Sequence, residues 1–137
     1  MAETIIKERL IEREKALNKA RLFAYCVKKR LGSSTTVILF GSYARGDFSA
    51  ESDVDILVVT NSDLPFKPHE RIDLILDCIR KNPEIEPVLL TVKELEERYA
   101  KKNPLVVEAL SQGIYLLDEL RLREKFSSRA RRRGQAY

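Results

Sequence analysis

Histidine and cysteine, which supply much of the nucleophilic and zinc-binding chemistry of enzymes, are nearly missing from this chain of 137 residues. His69 is the only histidine, so neither a Ser-His-Asp triad nor a histidine-based zinc site is expected. The two cysteines, Cys26 and Cys78, lie in apolar segments without metal-ligand spacing, and we expect both to be buried free thiols. A phosphoryl-transfer site made only of carboxylates is still compatible with this composition.

Long apolar runs are also missing. No stretch approaches the roughly 18 consecutive apolar residues that cross a membrane, and the first residues lead into charged sequence instead of a signal peptide's apolar region. We therefore expect a cytoplasmic protein without membrane contact. A length of 137 residues with 44% hydrophobic content leaves room for one domain with a modest core.

The positive charge is concentrated at one end of the chain. Residues 119–137 contain seven Lys and Arg against two Glu, which leaves residues 1–118 close to neutral, with 18 basic and 19 acidic side chains. We predict a single domain over residues 1–118, followed by a basic tail over 119–137 that does not join the folded body, with at least its last ten residues mobile. Nucleic acid is not an expected partner except through this tail.

Hydrophobic periodicity predicts a small mixed sheet with helices against it. Apolar residues recur at spacings of three, four and seven between Thr4 and Leu31, which predicts one long N-terminal helix within residues 1–31. Strands are predicted at 36–40, 53–59 and 85–90, with a short fourth strand at 114–117, and helices at 68–81, after Thr91 and from Asn103 to Gly113. The expected fold class is α+β, with a three- to four-stranded sheet flanked by helices.

Two short motifs next to the first two strands can hold a phosphate and a metal ion. Gly41 lets the backbone approach a bulky anion, and Ser42 offers a hydroxyl and free N–H groups at the start of a helical turn. Asp53 and Asp55, two apart on a strand, present their carboxylates on one face, where Mg²⁺ is the cation that suits hard oxygen ligands. Either motif alone usually has a plain structural explanation. Their combination is much more specific.

The segments Gly-Ser-Tyr-Ala-Arg-Gly at 41–46 and Ser-Asp-Val-Asp at 52–55 resemble the signature of the minimal nucleotidyltransferases of the DNA polymerase beta superfamily. The resemblance covers roughly residues 33–118, including a last helix and strand that begin at Asn103. It implies a nucleotidyltransferase catalytic core, ATP or another NTP bound with one or two Mg²⁺ ions, and transfer of a nucleoside monophosphate to an acceptor hydroxyl.

The resemblance also assigns roles to particular residues. Gly41 and Ser42 match the family's triphosphate-binding pair, and Asp53 and Asp55 match its metal-binding acids. Arg45 falls on the motif's arginine, either as an ion pair that steadies the loop or as a direct phosphate contact.

The third acid of the family is usually an aspartate on a later strand. Glu86 stands at the matching place here and is predicted to bind metal or to take the acceptor's proton. Strand alternation puts Glu84 on the same face, so parity does not separate the two. Glu86 is preferred because it lies further into the strand, where Pro87 favours an extended conformation.

The residues alone do not identify the acceptor molecule. The resemblance favours a protein acceptor, with this chain as the antitoxin of a pair whose partner is a helical HEPN-type ribonuclease. The long helix carries Ile5, Ile11, Leu22 and Phe23 beside its main stripe, and a docking partner would cover them. The alternatives are an antitoxin that acts only by binding, and an enzyme for an aminoglycoside-like small molecule whose pocket is completed in a homo-oligomer.

Overall fold

The computed structural model describes residues 2–135, with side chains up to Arg129. Within this part of the chain there are seven helices and four strands. The helices are α1 (Ala2–Leu31), α2 (Ser42–Arg45), α3 (Pro68–Asp73), α4 (Leu76–Lys81), α5 (Val92–Ala100), α6 (Pro104–Gln112) and α7 (Leu122–Gln135). The strands are β1 (Thr35–Phe40), β2 (Val54–Thr60), β3 (Ile85–Thr91) and β4 (Ile114–Asp118). No helix among residues 2–135 is long and apolar enough to cross a membrane.

The four strands form one mixed sheet in the order β3-β2-β1-β4. Strand β1 is antiparallel to both β2 and β4, whereas β2 and β3 are parallel. All six residues of β1 are buried, because helices cover both faces of the sheet. Val37 and Leu39 pack on the side of α1, and Ile38 and Phe40 pack on the side of α5, α6 and α7. The predicted α+β class, with a four-stranded sheet flanked by helices, is confirmed.

Helix α1 is divided between a buried and an exposed half. Its second half packs on the sheet through Leu17, Phe23 and Val27, so the expectation that Phe23 belongs to a free apolar surface is wrong. Phe23 lies on the helix face that meets the core, between Ala20 and Val27. In the first half, by contrast, Ile6 and Leu10 are 58% and 61% exposed, although both belong to the main apolar stripe.

The helix predicted at 68–81 is two helices. Helix α3 ends at Asp73 and α4 begins at Leu76, with Ile75 between them at φ −124° and ψ 23°. Ile75 is fully buried in the core on the α1 side of the sheet. The helical spacing of apolar residues in the sequence continues across this break. The break is therefore visible only from the position of Ile75 in the folded core.

The expectation that the basic tail lies apart from the body is wrong for Leu122–Arg129. Helix α7 buries Leu122 and Phe126, which are 2% and 4% exposed, against the core on the α5 and α6 side. The side chain of Asp118 accepts hydrogen bonds from the backbone N–H groups of Leu122 (2.8 Å) and Arg123 (3.1 Å), and so caps the helix. The two apolar residues are four apart and form one face, and Lys125 and Arg129 pair with Glu96 of α5 beside it. Of the last ten residues, which were predicted to be mobile, 128–135 continue helix α7, and 136–137 lie outside those described.

The two cysteines form a disulfide instead of remaining free thiols. Cys26 of α1 and Cys78 of α4 are bonded, with their Cα atoms 5.8 Å apart. The earlier expectation failed because the cysteines are 52 residues apart in sequence, and only the packing of α1 against α4 brings them together. A nearby ion pair, Arg30 Nε to Asp77 Oδ2 at 2.7 Å, joins the same two helices.

We expect loss of this disulfide to lower the thermal stability markedly. Closing a loop of 52 residues reduces the entropy of the unfolded chain by an amount equivalent to about 4 kcal/mol in the loop-closure treatment. The C26S/C78S variant should therefore melt about 10 °C or more below the wild type. Calorimetry with and without reductant checks this result. Reductant should lower the wild type to the variant's melting temperature and leave the variant unchanged, whereas equal melting of both proteins would contradict the prediction.

Candidate active site

The turn after β1 brings the backbone against an acidic side chain. Gly41 has φ 77° and ψ −154°, a conformation that favours glycine, and Ser42 begins the single-turn helix α2. A Cβ atom on Gly41 would lie 2.3 Å from Asp55 Oδ2, which is far inside van der Waals contact. Glycine is therefore needed here for two reasons, the positive φ and the close approach of Asp55.

The position of Asp55 in the sheet explains why it meets both the turn and another acid. In β2 it pairs with Phe40 of β1 on one side and with Glu86 of β3 on the other. Asp53 lies just before β2, not within it, and is exposed, as is Glu86. Gly41, Asp55 and Glu86 thus come from three neighbouring segments, at the end of the sheet where β1 finishes and β2 and β3 begin.

The local charge around Asp55 is strongly negative. Burial raises the pKa of the Asp55 carboxyl above its usual range, and the negative charges of Glu86, Asp53 and Glu108 raise that pKa further, while Arg45 opposes them. Ionised carboxylates that share a site repel each other unless a cation offsets their charge. The three predicted acids are therefore close enough to interact electrically, even though Asp53 lies outside the strand.

The donor chemistry of these acids fits Mg²⁺, which prefers carboxylate oxygens. In the described part of the chain, the carboxylates of Asp53, Asp55 and Glu86 do not all lie within 4.8 Å of one another. Asp53 and Glu86 are exposed, however, so a change of rotamer meets little packing resistance. Among the residues that the structure describes, the one three-residue group within that distance is Cys26, Asp77 and Cys78, whose sulfurs are both in the disulfide and offer no thiolate.

Glu84 occupies a different place from Glu86. It lies before β3, and its Oε1 is 3.0 Å from Lys19 Nζ of α1, on the opposite side of the sheet from the pair of Asp55 and Glu86. Its backbone carbonyl accepts a hydrogen bond from Val54 N–H at 2.9 Å. The parity argument that put both glutamates on one face was wrong, because regular strand alternation begins only at Ile85.

Arg45 forms ion pairs with two acids. Its Nε donates to Asp47 Oδ2 at 3.2 Å, and its Nη1 donates to Glu108 of α6. These bonds tie the loop after α2 to α6. The structure therefore places Arg45 as a support of the loop, which is one of the two roles that its position in the motif allows.

Arg9 and Arg13 of α1 were missed by the reasoning from sequence. Arg13 donates to the backbone carbonyls of Tyr43 (3.0 Å) and Ala44 (3.3 Å), and Arg9 donates to those of Gly46 (3.0 Å) and Phe48 (3.1 Å). Two arginines four residues apart on a helix are a visible signal. Their partners are backbone atoms, however, and these leave no trace in the sequence.

Comparison with known proteins agrees with this geometry. A family model described as the nucleotidyltransferase domain matches residues 20–126, which is most of the chain. The chain belongs to this nucleotidyltransferase family. The match includes the turn at Gly41, all three predicted acids and the beginning of α7.

A relative from Methanocaldococcus jannaschii, with the name "Putative protein adenylyltransferase MJ0604", is 38% identical over 90 residues, covering 65% of this chain and 80% of the relative. Two solved structures share the fold. A nucleotidyltransferase structure from Sulfolobus solfataricus, described as putative, matches with a TM-score of 0.58 at 21% identity. The match covers 78% of this chain and 84% of that protein's chain. A toxin-antitoxin structure with AMP-PNP has a TM-score of 0.55 at 19% identity and covers 85% of this chain and 87% of its own. The nucleotidyltransferase fold predicted from the motifs is thereby confirmed.

Proposed function

We propose that this nucleotidyltransferase transfers AMP from ATP to a hydroxyl group of a partner protein, and that the partner is a small helical toxin of the HEPN type. One observation carries the nucleotide half of the proposal. The turn at Gly41, which we assign to phosphate binding, lies directly against Asp55. Asp55 is paired in register with a further acid, Glu86. A triphosphate held at the turn would therefore lie beside the acids that hold its metal.

The site residues have separate tasks in this reaction. The hydroxyl of Ser42 and the N–H groups at the start of α2 bind the triphosphate oxygens. Asp53, Asp55 and Glu86 would hold one or two Mg²⁺ ions, which supply positive charge to the phosphoryl oxygens when bound. Arg45 keeps the loop attached to α6. No residue of the chain has to become a covalent nucleophile, because orienting the two substrates and stabilising charge supply most of the catalysis in phosphoryl transfer.

We assign to Glu86 the further role of the general base that takes the proton of the acceptor hydroxyl. Its carboxylate is exposed beside Asp55, so a hydroxyl that enters from outside can reach it and give up its proton as the bond to the α-phosphorus forms. Pyrophosphate leaves, and the nucleoside monophosphate remains on the acceptor oxygen. This role is general-base catalysis, which contributes typically about 10²- to 10⁴-fold to the rate.

The nature of the acceptor is supported by the openness of the site and by the relatives. Sites for small molecules typically enclose about 70–90% of the ligand, yet two of the three acids here are exposed. An exposed site suits an acceptor that brings its own surface. The relative named for protein adenylylation and the fold shared with a toxin-antitoxin structure favour the same class.

The test is a labelling experiment on the chain purified with its co-expressed partner. With labelled ATP and Mg²⁺, the partner should gain the mass of one adenylate on a tyrosine, serine or threonine, and Asp55→Asn in this chain should prevent the gain. Neutralisation of the toxin should fail in the same variant. Neutralisation that survives Asp55→Asn would instead favour an antitoxin that acts by binding alone, and labelling of an aminoglycoside or of tRNA with the partner unmodified would overturn the protein acceptor.

The choice between Glu86 and Glu84 gives a separate prediction. Glu86→Gln should reduce turnover about 10²-fold or more, because a glutamine cannot accept the acceptor's proton. Glu84→Gln is the matched control, since Glu84 pairs with Lys19 on the opposite side of the sheet and should cost less than about threefold. Rates of transfer for both variants, measured at equal metal concentration, decide the assignment. A larger loss from Glu84→Gln would reverse it.

A further inference from the structure

The loop that follows the nucleotide turn is held from α1 by two arginines. Helix α2 is only four residues long, and its C-terminal carbonyl groups have few partners within the helix. Arg13 uses Nε and Nη2 to reach the carbonyl oxygens of Tyr43 and Ala44. Arg9 uses Nη2 to reach those of Gly46 and Phe48. Cations at the C-terminal end of a helical turn also favour its dipole.

Aromatic contacts close the same loop. The rings of Tyr43 and Phe48 are stacked, with centroids 4.4 Å apart and an angle of 13° between their planes. The guanidinium carbon of Arg9 lies 4.5 Å from the centre of the Phe48 ring. One guanidinium thus holds a backbone carbonyl and an aromatic ring at once, which fixes the loop more firmly than either contact would alone.

These arginines are also the main tie between the first half of α1 and the body. Among residues 2–15, every side chain except that of Arg13 is exposed. On the other side of the loop, Arg45 reaches Glu108 of α6. The loop is therefore clamped between α1 and α6, and its N-terminal end carries Gly41 and Ser42.

We propose that Arg9 and Arg13 are positioning residues for the nucleotide site, which act by holding the loop at 43–48 so that Ser42 stays in place for the triphosphate. This inference rests on the proposed function, since it requires that the turn binds a nucleotide. The guanidinium of Arg13 contacts the C-terminal half of α2 and that of Arg9 contacts the loop just after it, whereas the triphosphate is assigned to the N-terminal end of α2. The two arginines thus act through the backbone and not by touching the phosphate.

The test compares Arg9→Gln and Arg13→Gln with a control on the same helix. Arg21 is exposed and, among residues 2–129, its side chain bonds only to Asn18 and Glu14 of α1, so Arg21→Gln changes the same charge without touching the loop. Titration calorimetry with AMP-PNP and MgCl₂ should show about tenfold weaker binding for each loop variant and no change for Arg21→Gln. Arg13→Lys should recover part of the affinity, since its ammonium group can still donate to one of the two carbonyls but lacks the fork of the guanidinium.

Hydrogen exchange on the nucleotide-free protein gives a second readout. The amides of residues 43–48 should exchange about tenfold faster in Arg13→Gln, while the amides of the β1 and β2 ladder should keep their protection. Unchanged AMP-PNP affinity in both glutamine variants, or unchanged exchange of the loop, would overturn the positioning role. If the wild-type chain itself does not bind AMP-PNP, the proposed function fails, and this inference fails with it.

Discussion

Replacing Asp55 with asparagine should abolish nucleotidyl transfer. Asp55 lies between the turn at Gly41 and the acid at Glu86, so it is the central ligand of the proposed metal site. A catalytic metal ion contributes several kcal/mol of charge stabilisation, and each 1.4 kcal/mol is tenfold in rate. We therefore expect turnover to fall by about 10³-fold or more, with weaker Mg²⁺ binding. Asp53→Asn should likewise lower the turnover and weaken Mg²⁺ binding.

The fold should survive this change. Burial and the neighbouring negative charges raise the pKa of Asp55, which means that the folded, metal-free protein disfavours its ionised form. For an acid with a raised pKa, stability is lost as the pH increases through the folded-state value. Removing the charge should therefore leave the metal-free melting temperature at pH 7 unchanged or slightly higher.

Rate measurements, Mg²⁺ titration and thermal melting check the prediction for Asp55. Asp63→Asn serves as the control, since Asp63 is an exposed acid that follows the far end of β2. It should behave as the wild type in all three measurements. Near-normal turnover of Asp55→Asn would show that the site is assigned to the wrong residues.

The Gly41→Ala variant should lose activity for a steric reason. The new Cβ would lie 2.3 Å from Asp55 Oδ2, so either the turn or the carboxylate must move. With ψ −154°, the positive φ of 77° lies in a region that essentially only glycine adopts, so alanine adds backbone strain of about 1–3 kcal/mol. A displacement of about 1 Å at a reacting site can cost about 10²-fold in rate, and we expect at least that loss of turnover together with a lower melting temperature.

Gly32→Ala separates the strain from the collision. Gly32 has a φ of 67°, but a Cβ there would meet nothing within 4 Å. It lies at the end of α1, away from the acids, so this variant should lose less stability than Gly41→Ala, from backbone strain alone, and keep its activity. Paired rate and melting measurements give the comparison. If both alanine variants kept equal activity, the contact between Gly41 and Asp55 would not matter for catalysis.

Local signals in the sequence predicted much of the fold. The Thr91 and Glu94 capping box was visible as two residues three apart, and both of its hydrogen bonds are present in the structure. Asn103 likewise caps α6 through the N–H of Val106. Such features depend on neighbours in the chain, so their physical cause is contained in a few residues.

Features that depend on distant packing were predicted poorly. The disulfide, the break at Ile75 and the docking of α7 all require knowledge of which helix lies against which. The candidate site shows the same division. The turn at Gly41 and the acids at Asp53 and Asp55 could be recognised from short motifs, whereas the loop contacts of Arg9 cross 37 and 39 residues and end on backbone carbonyls.

The mixed pairing of the sheet has a consequence for the order in which the protein folds. Strands β1 and β2 are antiparallel neighbours in sequence, so the pair of Gly41 and Asp55 can assemble as a local hairpin with a small loss of chain entropy. Glu86 joins only after the chain has crossed over through α3 and α4 and returned parallel to β2, and such pairings form slowly because distant segments must meet. During refolding, catalytic competence should therefore appear after the β1–β2 hairpin has formed, since Glu86 arrives only with the pairing of β3 to β2.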